Sequence, residues 1–401
     1  MENDATQKLS PVKVKLTEEQ EILVNDVLNF AADNLQKKEK AVYVITGDAG
    51  TGKSVVLNHL FYRIQCHRAD TGNAFYHTDN YFLVNHPEIL KVYRSIAGDF
   101  HELLKKNYIR PTSFINNFQK TGRTADVVII DEAHLLLSAP DHYNNFYGDN
   151  QLQSVIELAR VVILVYDPYQ VIKTKSYWDA DRLQNIVGKY INRTFHLEGQ
   201  FRMKCGKGLI RWINAFTEEL TVLPRPDDIA PGYDFRVFDD AEEMYEEICK
   251  RDKEYGLSRI TATINYPSVL DGGKHYVTEG RFRLPWDQYN FTSTPWAEIP
   301  STLHEVGSIY TVQGFDLNYI GIILGPSVLL DKGNRLKIDL SKVTDKEIFK
   351  KREDISSEKD FMEIKLRLFL NALNVLMKRG RYGLYLYAHD RALARLLESL
   401  G

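Results

Sequence analysis

Several features that would place a protein in a specialised class are scarce in this chain. Only three cysteines, Cys66, Cys205 and Cys249, occur among 401 residues, and their spacing fits neither a metal site nor a disulfide framework. Such sparse use of cysteine is typical of a reducing compartment such as the cytoplasm. No stretch approaches the ~20 apolar residues that a membrane-spanning helix requires, and the polar, acidic start MENDATQKLS is unlike a secretory signal. The formal net charge of -3 excludes a globally basic surface, so any nucleic-acid site must be a local groove.

The rest of the composition is that of an ordinary folded protein. Hydrophobic residues make up 44% of the chain and charged residues 26%, which argues against disorder. A chain of 401 residues is too long for one ordinary core, so its length favours two or three domains.

Short apolar segments alternate with helical patterns along the whole sequence. In the first half, the periodicity predicts a helix over 15–35 with a capping box at Thr17 and Gln20, and a second helix over 53–66. Strands are predicted at 41–46, 73–78, 127–130 and 161–166. This alternation implies right-handed crossovers and a doubly wound, mostly parallel sheet.

The same alternation begins again near residue 196. Predicted elements there are a strand from residue 196, helices around 206–220 and 240–253, and strands at 234–238, 259–264, 307–312, 319–324 and 382–388. We therefore expect a flexible arm over 1–14 and α/β domains over 15–195 and 196–401. The highly charged stretch 331–360 is expected to be a solvated insertion in the second domain.

A glycine-rich turn separates the first strand from the second helix. Gly47, Gly52, Lys53 and Ser54 match the pattern G-x-x-x-x-G-K-[ST] without exception. Such a turn directs main-chain N–H groups at phosphate oxygens, and the following helix directs its positive end at the same anion. Lys53 is expected to neutralise the β- and γ-phosphates and Ser54 to bind Mg²⁺; the alternative is a glycine turn that binds nothing. The predicted phosphate-binding residues are Gly47, Asp48, Ala49, Gly50, Thr51, Gly52, Lys53, Ser54 and Val55.

Two carboxylates follow the apolar strand in VVIIDEAH, residues 127–134. Ligands of open α/β sheets bind at the carboxyl ends of strands, so Asp131 is expected to hold Mg²⁺ and Glu132 to accept a proton from the attacking water. His134 either links the γ-phosphate to a bound polymer or is a polar residue that caps the strand. Together the two motifs predict a site that binds Mg²⁺ and hydrolyses a nucleoside triphosphate.

The ordered motifs resemble those of superfamily 1 helicases. In detail they resemble the Schlafen-type (group 3) DNA/RNA helicase domain found in many bacterial proteins, from about Leu16 to Asp390. The motifs are LTEEQ (16–20), GDAGTGKS (47–54), DEAH (131–134), YDPYQ (166–170), GQFRM (199–203), VGSIYTVQGFDLNYIGIILG (306–325) and VLMKRGRYGLYLY (375–387). The resemblance implies two RecA-like P-loop NTPase domains, each a mostly parallel sheet flanked by helices, and ATP hydrolysis at the cleft between them.

The same resemblance implies roles for individual side chains. Gln20 would contact the adenine base, Asp167 and Gln170 would sense the γ-phosphate, and Arg202 would bind phosphate. Arg379 would act as the arginine finger. Thr311, Gln313 and Gly314 would couple ATP to nucleic acid. The expected catalytic set is Lys53, Glu132, Gln170, Arg202 and Arg379. The last motif departs from the usual pattern at Lys378 and Gly380, where threonine and alanine are common.

The implied partner is single-stranded or partly duplex DNA or RNA, bound by a monomer without a membrane. A partner nuclease or regulatory protein would supply any further activity. Motif position suggests nucleic-acid contacts at Thr78, Asn80, Phe82, Phe114, Tyr266, Trp286, Trp296, Thr311 and Gln313; the alternative for each aromatic residue is a place in the core. Two other functions are compatible with a P-loop: a nucleotide-gated switch that moves no strand, and a P-loop phosphotransferase, which would leave Glu132, Gln170 and the second half unexplained.

Overall fold

The chain divides into two units, each with its own sheet. The computed structural model describes residues 9–47, 50–197, 203–267, 273–288, 290–292, 294–312, 316–345, 348–350, 352, 355 and 357–400. Unit 1 comprises Met1–Val171 and Lys175–Gln200, and unit 2 comprises Ile172–Thr174 and Phe201–Gly401. The short segment Ile172–Thr174 therefore belongs with unit 2, a detail that the sequence did not predict.

Unit 1 is built on a six-stranded parallel sheet with helices on both faces. The strands are β1 (Ala41–Thr46), β2 (Asn80–Val84), β3 (Tyr108–Ile109), β4 (Ala125–Asp131), β5 (Ala159–Tyr166) and β6 (Ile191–His196), in the order β3-β2-β4-β5-β1-β6. The helices are α1 (Glu18–Leu35), α2 (Lys53–His67), α3 (Pro87–Ile96), α4 (Pro111–Thr121), α5 (Gln151–Glu157) and α6 (Ala180–Val187). Because every strand is parallel, β1, β5 and β4 present their carboxyl ends side by side at one edge.

Local sequence explains most of these elements. The capping box at Thr17 and Gln20 forms at the start of α1. The central strands β4 and β5 are apolar on both faces, and their valines and isoleucines are completely buried, as expected for a parallel sheet covered by helices.

The predicted strand at 73–78 is wrong, because these residues form turns and the strand begins at Asn80. The side-chain oxygen of Asn73 accepts a hydrogen bond from the backbone N–H of Phe75 at 3.0 Å. His77 adopts a left-handed backbone with φ of 56°. Both features are typical of turns and incompatible with an extended chain.

Unit 2 contains a four-stranded parallel sheet and two small antiparallel hairpins. The sheet strands are β7 (Asp234–Phe238), β8 (Ser258–Ala262), β11 (Leu317–Leu324) and β14 (Gly380–Ala388), in the order β7-β14-β11-β8. One hairpin pairs β9 (Tyr276–Glu279) with β10 (Phe282–Pro285), and the other pairs β12 (Val328–Leu330) with β13 (Leu336–Ile338). The helices are α7 (Lys207–Glu218), α8 (Ala241–Tyr255), α9 (Ile309–Val312), α10 (Glu358–Met377) and α11 (Arg391–Ser399).

Two expectations for unit 2 are corrected. Residues 309–312 form the short helix α9 instead of a strand, because the Thr311 hydroxyl accepts from the Ser308 N–H and donates to the Ser308 carbonyl, both at 2.9 Å. The stretch 331–360 is more than a solvated insertion, since Leu336, Ile338 and Ile348 are buried in the core of unit 2.

The fold class is thus α/β, with two units that each contain a parallel sheet flanked by helices. Within the described ranges, every helix is too short or too polar to cross a membrane.

Candidate active site

The glycine turn lies at the carboxyl end of β1, immediately before α2. A Cβ added at Gly47 would lie 2.6 Å from the main-chain oxygen of Leu197. Gly52 has a left-handed backbone with φ of 82°, and a Cβ there would lie 2.5 Å from Nε2 of Gln20. The structure therefore requires glycine at both positions. At Gly47 the reason is the close approach of Leu197, and at Gly52 it is the left-handed backbone together with the close approach of Gln20. Asp48 and Ala49 lie outside the described residues.

Gln20 braces this turn from the start of α1. Its Oε1 accepts from the Thr17 N–H at 3.0 Å, and its Nε2 donates to the Thr51 carbonyl at 3.2 Å. The capping box and the phosphate loop are therefore joined through one buried carboxamide. Its contact with adenine stays a prediction.

Lys53 is held in a buried ion pair. Its Nζ donates to the Gly47 carbonyl at 2.6 Å and lies 3.2 Å from Oδ2 of Asp167. That same oxygen accepts from Nε2 of Gln170 at 2.7 Å, and Asp167 Oδ1 accepts from the Tyr169 N–H at 3.1 Å. Burial would raise the pKa of Asp167, but the nearby Lys53 charge and the Gln170 amide outweigh burial and hold this pKa below its ordinary value.

The paired strands explain why these distant residues meet. Thr46, the last residue of β1, pairs with Tyr166, the last residue of β5. The residues that follow, Gly47 and Asp167, therefore start side by side. Asp167 and Gln170, which the resemblance assigned to one γ-phosphate sensor, contact each other, and Asp167 is also paired with Lys53.

Asp131 ends β4 and faces the start of α2. Its Oδ2 accepts from the Tyr93 hydroxyl at 2.6 Å, and its Oδ1 accepts from the Glu132 N–H at 2.9 Å. Burial, reinforced by the negative charge of Glu132, raises the pKa of Asp131 to about 6, although hydrogen bonds from Tyr93 and Ser54 oppose the shift. No sequence pattern singles out Tyr93, which is one of several residues on the buried face of α3.

The oxygen donors here suit Mg²⁺. This cation is usually held by one or two carboxylates together with substrate phosphates and water, and the contact between Ser54 and Asp131 supplies one hydroxyl and one buried carboxylate. Among the described residues, no group of three or more His, Cys, Asp or Glu could hold a metal by itself. A site shared with phosphates therefore fits this chain better than a closed protein cage.

Glu132 and His134 follow directly in a 3₁₀ turn. Glu132 has φ of 53° and ψ of 49°, a left-handed conformation that is uncommon for a residue with a side chain. Its Oε2 lies 3.1 Å from Nε2 of His134, which is completely buried. Strained backbone of this kind concentrates at functional sites, where it aims a side chain.

The second unit supplies the remaining predicted residues. Arg379 precedes β14 at its amino end and is completely buried. The departure at Gly380 has a physical cause, because an added Cβ would collide with the main-chain oxygen of Gly383. Lys378 is the C-cap residue of α10. Arg202, Gln313 and Gly314 lie outside the described residues.

Most of the side chains expected to contact nucleic acid lie in the cores, which corrects that expectation. The rings of Phe82, Phe114, Trp286 and Trp296 are at most 2% exposed, so packing accounts for them. Asn80 lies inside β2, where its amide donates to Gln65 at 3.0 Å and to the Thr78 hydroxyl at 2.9 Å. The misplaced second strand explains the error at Thr78 and Asn80, since the true carboxyl end of β2 is four residues beyond Asn80. Tyr266 is largely buried and donates to Glu279 at 3.1 Å, and Thr311 forms the turn described above.

The sequence analysis missed a polar cavity at the true end of β2. It has a volume of about 190 Å³ and lies at the same carboxyl edge as the glycine turn. Its lining residues are Asn85, Arg110, Thr112, Ser113, Asn116, Leu137, Asn144 and Asn145. Asn85 could have been found from the sequence had β2 been placed correctly.

Comparison with known proteins assigns this architecture to a family. The family described as Schlafen group 3, DNA/RNA helicase domain, matches residues 40–390. An uncharacterised protein of Saccharomyces cerevisiae is 39% identical over 423 aligned residues, which cover 98% of this chain and 92% of the yeast protein.

Two solved structures show weaker similarity. The Pif1 helicase of Candida albicans aligns with a TM-score of 0.38 and 14% identity over 97% of this chain and 100% of that one. Domain III of the replication initiation protein DnaA from Thermotoga maritima aligns with a TM-score of 0.29 and 14% identity over 54% and 77%. The family match over residues 40–390 and the relative of nearly equal length show that the chain belongs to the Schlafen group 3 DNA/RNA helicase domain family, with the architecture of a helicase-like P-loop ATPase.

Proposed function

We propose that the protein hydrolyses ATP to translocate along, or to unwind, DNA or RNA. The observation that carries the proposal is the convergence of Lys53, Asp167, Asp131 and Glu132 at the adjacent carboxyl ends of β1, β5 and β4. This edge thus carries one ammonium group (Lys53) and three carboxylates, of which Asp167 is the proposed sensor. Such an arrangement suits phosphoryl transfer to water.

Lys53 is the residue whose partner changes when the nucleotide binds. In the structure it donates to the Gly47 carbonyl and is paired with Asp167. The triphosphate brings stronger acceptors, so Lys53 turns to the β- and γ-phosphate oxygens, and Asp167 is left to Gln170. In this way the state of the γ-phosphate is transmitted to the segment that begins at Asp167.

Asp131 and Ser54 would hold the cation. When bound, Mg²⁺ neutralises phosphate charge and orients the β- and γ-oxygens. Glu132, aimed by its left-handed backbone and held near His134, accepts the proton of the attacking water. Its position beside Asp131 keeps the base within the same small volume as the phosphates.

Arg379 and Arg202 supply charge from unit 2 in this proposal. An arginine that joins the transition state is worth about 10³–10⁵ in rate in phosphoryl-transfer enzymes. Because these arginines belong to unit 2 and the phosphate loop to unit 1, hydrolysis would respond to the relative motion of the two units. Gln20 is proposed to contact adenine, and Thr311, Gln313 and Gly314 to couple the cycle to the strand.

The test begins with ATP hydrolysis by the full chain, with and without single-stranded DNA and RNA. Stimulation by either polymer is expected, and no stimulation by a folded protein that hydrolyses ATP would contradict the motor function. Glu132→Gln is expected to keep ATP affinity and lose turnover, because the base is lost while the phosphate loop is intact.

The contribution of unit 2 is tested by Arg379→Ala. We expect a loss of about 10³-fold or more in turnover with ATP affinity retained. Arg381→Ala is the control two residues further along the chain, inside β14, and it should hydrolyse ATP normally. An Arg379→Ala enzyme with the wild-type rate would show that unit 2 does not serve the reaction.

A second candidate is a nucleotide-gated switch that binds a protein partner and moves no strand. The burial of Phe82, Phe114, Trp286 and Trp296 favours it, since these aromatic faces are taken up by packing. Slow hydrolysis that is indifferent to nucleic acid, together with ATP-dependent oligomerisation, would identify the switch.

A further inference from the structure

The loop Asp141–Tyr147 is held at its base by hydrogen bonds, a buried ring and an ion pair. The backbones of Asp141 and Phe146 exchange two hydrogen bonds, at 2.9 and 3.0 Å. The Phe146 ring is buried, and the Asp141 carboxylate is paired with Lys175 at 3.0 Å and accepts from the Asn144 amide at 2.7 Å. The loop is therefore a rigid support whose acidic group is already neutralised.

This rigid loop carries two exposed aromatic rings. The side chain of Tyr143 is 91% exposed and that of Tyr147 is 66% exposed. The Tyr147 ring contacts the His142 ring edge-on at a centroid distance of 5.1 Å, but both tyrosine rings lie mostly in water, in contrast to the buried Phe146 between them in the sequence. A well-anchored loop that holds tyrosine rings out in water is suited to stacking on flat ligands.

The polar cavity lies directly beside the loop. Asn144 and Asn145 belong to both, and the Asn116 amide donates to the Asn145 carbonyl at 3.1 Å. The other lining groups include the Arg110 guanidinium and the hydroxyls of Thr112 and Ser113. Amides, hydroxyls and arginine are the groups with which proteins contact phosphate and sugar without reading sequence.

The cavity is also connected, through main-chain groups, to the turn that carries Glu132. The Asn85 amide, which lines the cavity, donates to the main-chain oxygen of Leu135 at 2.6 Å. Leu135 in turn donates its N–H to the Glu132 carbonyl at 2.8 Å. A ligand that moves Asn85 would thus act on the turn that aims Glu132.

From these contacts we propose that the Tyr143 loop and the adjoining cavity bind a single strand of nucleic acid, with a base stacked on Tyr143 and the backbone lying over Arg110 and the asparagines. The proposal rests on the proposed function and gives it a polymer site in unit 1. Tyr147 contacts a neighbouring base. The two hydrogen bonds that join Asn85, Leu135 and Glu132 couple strand binding to the hydrolysis site. The site is sequence-tolerant, because every base offers a flat face.

Fluorescence anisotropy with labelled oligo-dT and oligo-U on the full chain tests the proposal. A stacked base contributes about 1–3 kcal/mol, so Tyr143→Ala should weaken binding by about 5- to 100-fold. Tyr143→Phe keeps the flat ring and should bind within about twofold of wild type, as stacking does not need the hydroxyl. Arg110→Ala should reduce the slope of log affinity against log salt by about one phosphate contact.

Tyr255→Ala is the matched control. Tyr255 is also half exposed, but it ends α8 before the amino end of β8, away from any strand's carboxyl end in unit 2. Its substitution should leave affinity unchanged.

Three results would overturn the proposal. If wild type binds the oligonucleotides and Tyr143→Ala binds equally well, this site is wrong while the nucleic-acid function stands. If Tyr143→Ala and Tyr255→Ala weaken binding alike, the effect is unrelated to the loop. If wild type binds neither DNA nor RNA with or without an ATP analogue, the proposed function fails and this site with it.

Discussion

Replacing Asp167 by asparagine isolates the buried charge beside Lys53. The two groups lie 3.2 Å apart and are 7% and 1% exposed, so their Coulomb attraction is about 5 kcal/mol at an effective dielectric constant of 20. Removing one partner of such a pair typically costs about 3–5 kcal/mol, because the other charge stays buried. We expect a loss of folding free energy near the lower limit of this range, since Lys53 still donates to the Gly47 carbonyl and Gln170 can still donate to the asparagine oxygen.

Hydrogen exchange measured by mass spectrometry on the full chain without nucleotide would report this loss locally. Peptides that cover β5 and the following sensor turn should lose protection by about 100-fold, the equivalent of roughly 3 kcal/mol. Glu21→Gln is the control, because it breaks an ion pair with Arg63 whose side chains are 42% and 32% exposed. Exposed pairs contribute about 0–1 kcal/mol.

The pH dependence provides an independent check. The pKa of Asp167 is lowered in the folded protein, so the pair's contribution is complete above the ordinary carboxyl pKa of about 4 and is lost as pH falls through the lower folded value. The difference between wild type and Asp167→Asn should therefore be constant above pH ~5 and shrink in stronger acid. Equal protection of the two proteins at pH 7 would refute the reasoning that this pair stabilises unit 1.

Two further predictions concern the same sheet edge. Gly52→Ala should lower the free energy of unfolding by about 1–3 kcal/mol in thermal or urea unfolding, because it combines a left-handed backbone with a collision at Gln20. Gly122→Ala, at φ of 63° with open space around the added Cβ, should cost less, and equal costs would show that the Gln20 contact is unimportant. Asp131→Asn should stabilise the nucleotide-free protein at pH 8, because the raised pKa of Asp131 means that wild type loses stability as pH rises from about 4 to 6. Thermal unfolding at pH 5 and 8 checks this sign, and a variant less stable than wild type at pH 8 would contradict it.

The parts of the fold that were predictable are those that local chemistry determines. The runs VYVIT and VVIID are apolar on both faces, and the glycine turn and the Thr17–Gln20 capping box are each contained within a few residues. For such segments, the local pattern and the final structure agree, and the family assignment was accordingly correct.

The errors arise where tertiary contacts decide. The aromatic composition of residues 73–78 suggested a strand, but the Asn73 side chain forms a turn and the strand begins beyond it. Trp286 and Trp296 lie in segments without regular periodicity, so their burial could not be predicted from spacing. Tyr93 reaches Asp131 because α3 packs on β2 and β3, which brings the Tyr93 hydroxyl to the end of the neighbouring strand β4, and a helix pattern carries no sign of that contact.

The polar cavity is the clearest case of a feature hidden from the sequence. It is assembled from Asn85, residues 110–116, Leu137 and residues 144–145, four segments that are separate in the chain. Each segment by itself is an unremarkable loop or helix start. Only the order of the strands in the sheet brings them to one place.

The left-handed backbone at Glu132 has a consequence for anyone who engineers this chain. A residue with a Cβ pays about 1–2 kcal/mol for that conformation, whereas glycine adopts it freely. Library selection for heat resistance would therefore favour Glu132→Gly, a substitution that raises thermal stability and removes the predicted base. Under the proposed role of Glu132, thermal tolerance and turnover are opposed at this position, and screens that reward heat resistance alone would accumulate variants that lack the base.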